Sequence, residues 1–201
     1  MKIKSKAGFL TIICLAVLVS CSVKKYTTKY YYQNEKVLDQ IEASYRLLYS
    51  GQEFSLAFMD KYFRTISLEI KTDTLTYIYE FGFGEPRMND TAFKYHLDST
   101  GLNDLAAKMR SVHCSWISKI DYYTDEQRKF MVFMSIKPVA FSSFLSEKKY
   151  YIITYYPQPQ HFDAQGRLLD RRKLRQLRKI NGEVFYRIND KVCYTVSTQF
   201  R

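Results

Sequence analysis

The sequence predicts an α+β fold: an antiparallel sheet of roughly six to eight strands, with an N-terminal helix at about residues 34–50 and a second helix at about 101–112 packed on it. Three observations lead there. The chain is rich in aromatic residues, with 18 Tyr and 14 Phe, and poor in Gly and Pro, with 7 and 4, a balance that favours strands. Apolar residues recur at three- and four-residue spacings in two stretches of the domain and alternate with polar ones in most of the others. Those two helical stretches are separated by groups of strands, not single strands, which argues against βαβ repetition.

The first helix is marked by Val37, Leu38, Ile41, Tyr45 and Leu48, with Asn34 placed as an N-cap and Gly51 as the stop. From Tyr62 the period changes to two. Ile66, Leu68 and Ile70 alternate with polar residues, Lys71-Thr72-Asp73-Thr74 supplies a turn, and Leu75, Tyr77, Tyr79 and Phe81 alternate on the other side, which is a hairpin. Gly82-Phe83-Gly84-Glu85-Pro86 breaks it, and Phe93, Tyr95 and Leu97 suggest another short strand. Leu102, Leu105, Ala106 and Met109 give the second helix, with Asp98, Ser99 or Thr100 near its start.

Three strand-forming runs follow, around Trp116–Tyr123, Lys129–Ile136 and Lys149–Tyr156, the last stopped by Pro157-Gln158-Pro159. Near the end, Glu183–Ile188 and Lys191–Val196 flank a two-residue Asn189-Asp190 loop, a hairpin that places Cys193 opposite Tyr186.

The start of the chain has a different character. Lys2, Lys4 and Lys6 precede an apolar run from Phe9 to Leu18 that is too short to span a bilayer, and Ser20 offers a small residue before Cys21. The run Leu18-Val19-Ser20-Cys21 resembles the lipobox of bacterial lipoproteins. That resemblance, which covers only residues 1–21, implies a cleaved signal at 1–20 and a lipidated Cys21 as the first mature residue. It also implies a diacylglyceryl thioether, usually with a further acyl chain. Two or three chains hold a protein on a membrane far more firmly than one, at about 0.8 kcal/mol per buried CH₂. Residues 21–33 then read as the lipidated cysteine and a tether, with an edge strand at Tyr30–Tyr32 as the alternative, and residues 34–201 as one domain. Extended at about 3.3 Å per residue, a dozen tether residues reach ~40 Å. Ser22 after the cysteine implies, by the same resemblance, sorting to the outer membrane of a cell that has one.

Export changes the meaning of the charge. Removing Lys2, Lys4 and Lys6 lowers 31 basic residues to 28 against 20 acidic ones, a mature excess of +8. An exported basic domain meets anionic lipid, acidic glycan or an envelope protein first, so no nucleic acid partner is expected.

Cys14 leaves with the signal and Cys21 carries lipid, which leaves Cys114 and Cys193. An exported domain can join these two in a disulfide or bury them as free thiols. His113 beside Cys114 suggests catalysis or metal binding, but adjacent residues diverge in a helix and oppose one another in a strand. No Cys-x-x-Cys or His-x-x-x-His pair supports a site, so neither a metal nor a cofactor is expected.

The basic run from Arg167 to Lys179 is the strongest candidate for a contact. If it is helical, Arg171, Arg175 and Arg178 share a face, and with Arg172 they suit an anionic partner; the plainer reading is a solvated basic surface. The doubled tyrosines Tyr150-Tyr151 and Tyr155-Tyr156 must divide between the two faces of a strand. Exposed tyrosines with Trp116 would suit a sugar, whereas Tyr77 and Tyr79 read as core.

No nucleophile elbow, phosphate-binding glycine loop, zincin motif or Ser-x-x-Lys is present, and no catalytic residue is assigned. The reading is an envelope lipoprotein with a non-catalytic binding or interaction domain. The alternative is a tethered hydrolase of cell-wall or other glycan, which would need two carboxyl groups ~5 to 9.5 Å apart beside an aromatic shelf.

Overall fold

The computed structural model describes residues 4–124, 127–136, 150–171 and 173–197, with side chains described from residue 25 onward and not at 123–124. The fold is α+β. The chain forms two units, Met1–Glu35 and Lys36–Arg201.

Helix α1 spans Lys4–Tyr49 and accounts for all the described residues of the first unit. Residues 22–33, expected as an extended tether or in part an edge strand, are helical instead. The spacing of buried residues explains why: Thr27 and Tyr31 are buried one helical turn apart, so a helical period runs through residues whose types favour strands. Asn34 is an interior residue and not a cap. Its side-chain amide donates to Tyr30 O at 2.9 Å, and Tyr31 OH donates to Glu35 Oε1 at 3.2 Å. At 1.5 Å rise per residue, a dozen helical residues span about 18 Å, half the reach of the extended form.

In the second unit, strands β1 (Glu53–Phe58), β2 (Thr65–Lys71), β3 (Thr76–Gly82), β4 (Cys114–Thr124), β5 (Gln127–Ile136), β6 (Tyr150–Tyr155), β9 (Tyr186–Arg187) and β10 (Val192–Ser197) form one antiparallel sheet. Its order is β3-β2-β1-β4-β5-β6-β10-β9. A small separate hairpin pairs β7 (Lys179–Ile180) with β8 (Glu183–Val184). Helices α2 (Arg87–Lys94) and α3 (Ser99–Ser111) connect β3 to β4.

The ladder registers sort the side chains onto two faces. One face carries Phe54, Leu56, Ile66, Leu68, Ile70, Ile117, Val132, Met134 and Ile153, all buried. Here the last turns of α1 dock: the Tyr45 and Phe54 rings lie 5.0 Å apart, Tyr45 OH donates to Phe54 O at 2.7 Å, and Tyr155 OH donates to Asp39 Oδ1 at 3.0 Å. Helix α3 presents Leu102, Leu105, Ala106 and Met109 as its buried stripe. The opposite face forms a second core of Tyr122, Met131, Phe133, Ile152, Tyr156 and Cys193, roofed by Leu168, Ile180 and Phe185 from the long segment between β6 and β10.

Several expectations are met closely. The hairpin of Ile66–Ile70 with Tyr77–Phe81 is β2–β3, and α3 starts from Asp98, whose side chain accepts from Thr100 N at 3.0 Å. Others need correction. Phe93, Tyr95 and Leu97 do not form a strand: Pro86, with φ −58°, opens α2, and Phe93 is 84% exposed, so its alternation marks no buried face. The end hairpin is shifted by one residue, with Cys193 opposite Arg187 and Tyr194 opposite Tyr186. Asn189 causes the shift, because its Oδ1 accepts from Lys191 N and Val192 N and makes a wider turn than two residues. The tight two-residue loop is Asn181-Gly182, with φ of 50° and 82°, between β7 and β8.

Candidate functional site

Two groups of polar side chains stand out, one on each face of the sheet. The first is centred on Lys119 of β4. Its side chain is only 5% exposed, yet its Nζ lies 2.7 Å from Asp121 Oδ2, 3.4 Å from Glu53 Oε2 and 4.6 Å from the centre of the Tyr49 ring. Arg128 Nη2 meets Asp121 at 2.6 Å, and Lys71 Nζ meets Glu53 at 3.5 Å. Burial alone would lower the Lys119 pKa, but Asp121 and Tyr49 outweigh it and hold the ammonium above its ordinary value. Burial likewise opposes ionisation of both acids. For Glu53 the Tyr49 hydroxyl with Lys119 and Lys71, and for Asp121 Arg128 with Lys119, reverse that and leave each pKa below the ordinary carboxylate range.

Sharing one ammonium keeps the nearer Glu53 and Asp121 oxygens no more than about 6 Å apart, so two carboxylates do stand close together, as a glycan hydrolase requires. The chemistry differs from such a pair. A general acid must hold its proton near neutral pH, and both carboxylates here are stabilised as anions. The cluster is a charge-compensated brace between α1, β1 and β4.

The second group lies on the opposite face. The Arg178 guanidinium carbon sits 5.0 Å from the centre of the Tyr122 ring and 5.8 Å from that of Tyr156. Those two rings meet edge to face at 6.0 Å. Burial raises the pKa of both hydroxyls; Arg178, Arg46 and Arg171 oppose it at Tyr122, and Arg178 opposes it at Tyr156.

The residues singled out in the basic run do not form a helical stripe. The segment is an irregular hairpin: Leu169 bridges Leu177, Asp170 N donates to Gln176 O, and Arg178 N donates to Leu168 O. Asp170 Oδ1 accepts from Lys173 N and turns the chain where a helix would have continued. Arg171 and Arg175 are exposed, Arg178 is half-buried, and Arg172 lies outside the described residues.

Cys114 and Cys193 are free and buried, not joined in a disulfide. Cys114 pairs with Ile136 on the helix-bearing face, whereas Cys193 pairs with Thr154 on the other. They belong to β4 and β10, three strand spacings or roughly 14 Å apart, twice the longest Cα separation a disulfide spans. Burial pushes the Cys114 thiol up to about 12 and the Cys193 thiol up as well, so both are inert as nucleophiles. The His113 ring packs against Phe63 at 5.4 Å. Among the described residues no group of three or more His, Cys, Asp or Glu could hold a metal ion. The side chain of Cys21 lies outside the described residues, and no described helix is long and apolar enough to cross a membrane.

Tyr77 and Tyr79, read from sequence as core, form a half-open ledge. Tyr77 is 37% exposed, its ring stacks with Tyr79 at 6.5 Å, and the Tyr79 and Tyr95 hydroxyls share a 2.7 Å hydrogen bond. The division of the doubled tyrosines does hold, with Tyr155 turned to the helices and Tyr156 to the second core. Sequence reasoning missed Lys119, Glu53 and Tyr122 and gave Tyr156 only as one of a tyrosine pair, because only the register across β1, β4, β5 and β6 brings these residues together.

Comparison of the chain with protein-family models, with curated proteins and with solved structures finds no match.

Proposed function

We propose that this chain is a lipid-anchored lipoprotein of a bacterial cell envelope whose domain is a binding module and not an enzyme. The observation that carries the anchor is the order Lys2, Lys4, Lys6, then Phe9–Leu18, then Leu18-Val19-Ser20-Cys21. An export signal followed at once by a cysteine is the arrangement on which lipidation chemistry acts, and acyl chains on Cys21 supply the membrane affinity. Ser22 favours the outer membrane. Support for binding over catalysis comes from the two polar groups: one compensates its own charges around Lys119, and the other sets an arginine against two tyrosines whose neighbouring thiol, Cys193, is held protonated by burial.

Fractionation tests the anchor. Wild-type protein is expected in the membrane and in the detergent phase, and Cys21→Ala in the soluble fraction or retained with its signal uncut. A Cys21→Ala protein that partitions as wild type and carries the same lipid mass would overturn the reading. The closeness of the Glu53 and Asp121 carboxylates motivates a second reading, hydrolysis of an envelope glycan. Release of soluble fragments from purified cell-wall glycan by wild type and not by Asp121→Asn would establish it over the binding module.

A further inference from the structure

We propose that Arg178, Tyr122 and Tyr156 form a binding site for a single oxyanion, a carboxylate or phosphate group, on the sheet face opposite the helices. The proposal rests on the binding-module reading and names the ligand chemistry of that module.

The first argument is an unmet hydrogen-bonding demand. Buried tyrosine hydroxyls almost always find a partner, and leaving one without costs about 1 to 3 kcal/mol. Tyr122 is 7% exposed and Tyr156 is 2% exposed, and the hydroxyl of each is buried with no hydrogen-bond partner. Two such hydroxyls in one cluster, on rings 6.0 Å apart, are a concentrated deficit. What the site lacks is an acceptor.

The second argument is the sign of the charge. Arg178 lies over both rings, and its guanidinium makes no hydrogen bond to any described residue. The guanidinium lies against two rings that accept none of its N–H groups, and those donors can fork onto two oxygens of a ligand. The cations that act on the two hydroxyls are guanidiniums, Arg178 on both with Arg46 and Arg171 on Tyr122, and the other groups acting on Tyr156, Cys193 and Tyr122, are kept neutral by burial. Lys129, opposite Tyr122 on the β4–β5 ladder, adds a further cation at the rim, where its Nζ donates to Gln158 Oε1 at 2.9 Å. An uncompensated cation beside two idle O–H donors selects an anion with at least two oxygens over a neutral sugar.

The third argument is placement. Arg178 N donates to Leu168 O at 2.9 Å, while Leu168 and Ile180, on either side of that contact, are buried in the second core. Its backbone is thus pinned to the sheet face, and a half-buried side chain can swing its fork between the rings and solvent to admit a ligand.

The test uses full-length protein in detergent, with thermal unfolding followed during titration with sodium acetate or sodium phosphate against sodium chloride at matched ionic strength. Wild type is expected to show a saturable rise in Tm with at least one oxyanion and none with chloride. Tyr122→Phe, Tyr156→Phe and Arg178→Gln should each weaken that response at least tenfold, and the exposed Arg175→Gln should leave it intact. The tyrosine variants carry a control of their own: removing a hydroxyl that has no partner should leave the Tm of the ligand-free protein unchanged or higher.

Three results would overturn the proposal: no saturable response to either anion, a response that survives all three substitutions, or a fall in ligand-free Tm for both Tyr→Phe variants. Where phosphate is the stronger ligand, sedimentation of Cys21→Ala protein with vesicles of phosphatidylcholine alone or mixed with phosphatidylglycerol separates a lipid headgroup from a soluble phosphate. Failure of the site leaves the lipid anchor to be decided by fractionation, so the two ideas fall separately.

Discussion

Replacing Lys119 by Met removes one positive charge from between two carboxylates and keeps the length of the side chain. Deleting one partner of a fully buried ion pair costs about 3 to 5 kcal/mol. Here the cost is smaller, because Asp121 keeps Arg128 at 2.6 Å, Glu53 keeps Lys71 at 3.5 Å, and both acids are roughly 30% exposed to water. Met also retains apolar contact with the Tyr49 ring and gives up only the cation–π attraction. We expect a loss of about 1 to 3 kcal/mol at pH 7.

The pH dependence fixes the mechanism. Both carboxylates have folded pKa values below the ordinary range, so their contribution is complete above about pH 4 and is lost as pH falls through the lowered folded values. Below that point wild type retains a buried ammonium facing two neutral acids, and Lys119→Met should equal or exceed it in stability. Urea unfolding at pH 7 and at successively lower pH, down to where wild-type stability stops falling, reads both ends. A gap of equal size at the two ends would refute the electrostatic account and leave only packing, and no gap at pH 7 would show that the network contributes nothing.

Two further outcomes follow from the same structure. Cys114 and Cys193 should resist a thiol reagent in native protein and react together only on unfolding, with no change in mass under reduction; rapid labelling of either in the native state would contradict their burial. Gly182→Val should lower stability by about 1 to 2 kcal/mol at unchanged denaturant slope, since φ of +82° strains any β-branched residue, and an unchanged urea midpoint would show that the Asn181-Gly182 turn is dispensable.

Local patterns were legible in the sequence where one signal acted alone. The period of two in Ile66-Leu68-Ile70 and Tyr77-Tyr79-Phe81 specified a hairpin, and Asp98 with Leu102, Leu105 and Met109 specified α3. Strand β1 was missed although Phe54, Leu56 and Phe58 alternate perfectly, because the run is short and follows directly on Gly51. The upstream half of α1 was missed for a different reason: Thr27 and Tyr31 are buried one helical turn apart, but tyrosine and threonine favour strands and mask a helical period. Asn181-Gly182 carried the better turn chemistry, yet the flanking pairs are two residues long and gave no alternation to notice.

The candidate site was legible only in part. Arg178 belonged to a visible basic run, but what distinguishes it from exposed Arg171 and Arg175 is the Leu169–Leu177 bridge that turns it inward. Tyr122 and Tyr156 are 34 positions apart in sequence and meet because β5 lies between β4 and β6, a register no local pattern encodes.

The proposed lipid anchor requires that residues 1–20 be removed and that Cys21 carry the acyl chains. Mass spectrometry of the N-terminal fragment from membrane-extracted protein tests it most directly. The expected fragment begins at Cys21 and carries the added mass of a diacylglyceryl group, with or without a further acyl chain. A fragment that begins at Met1, or one that begins elsewhere with an unmodified Cys21, would contradict it.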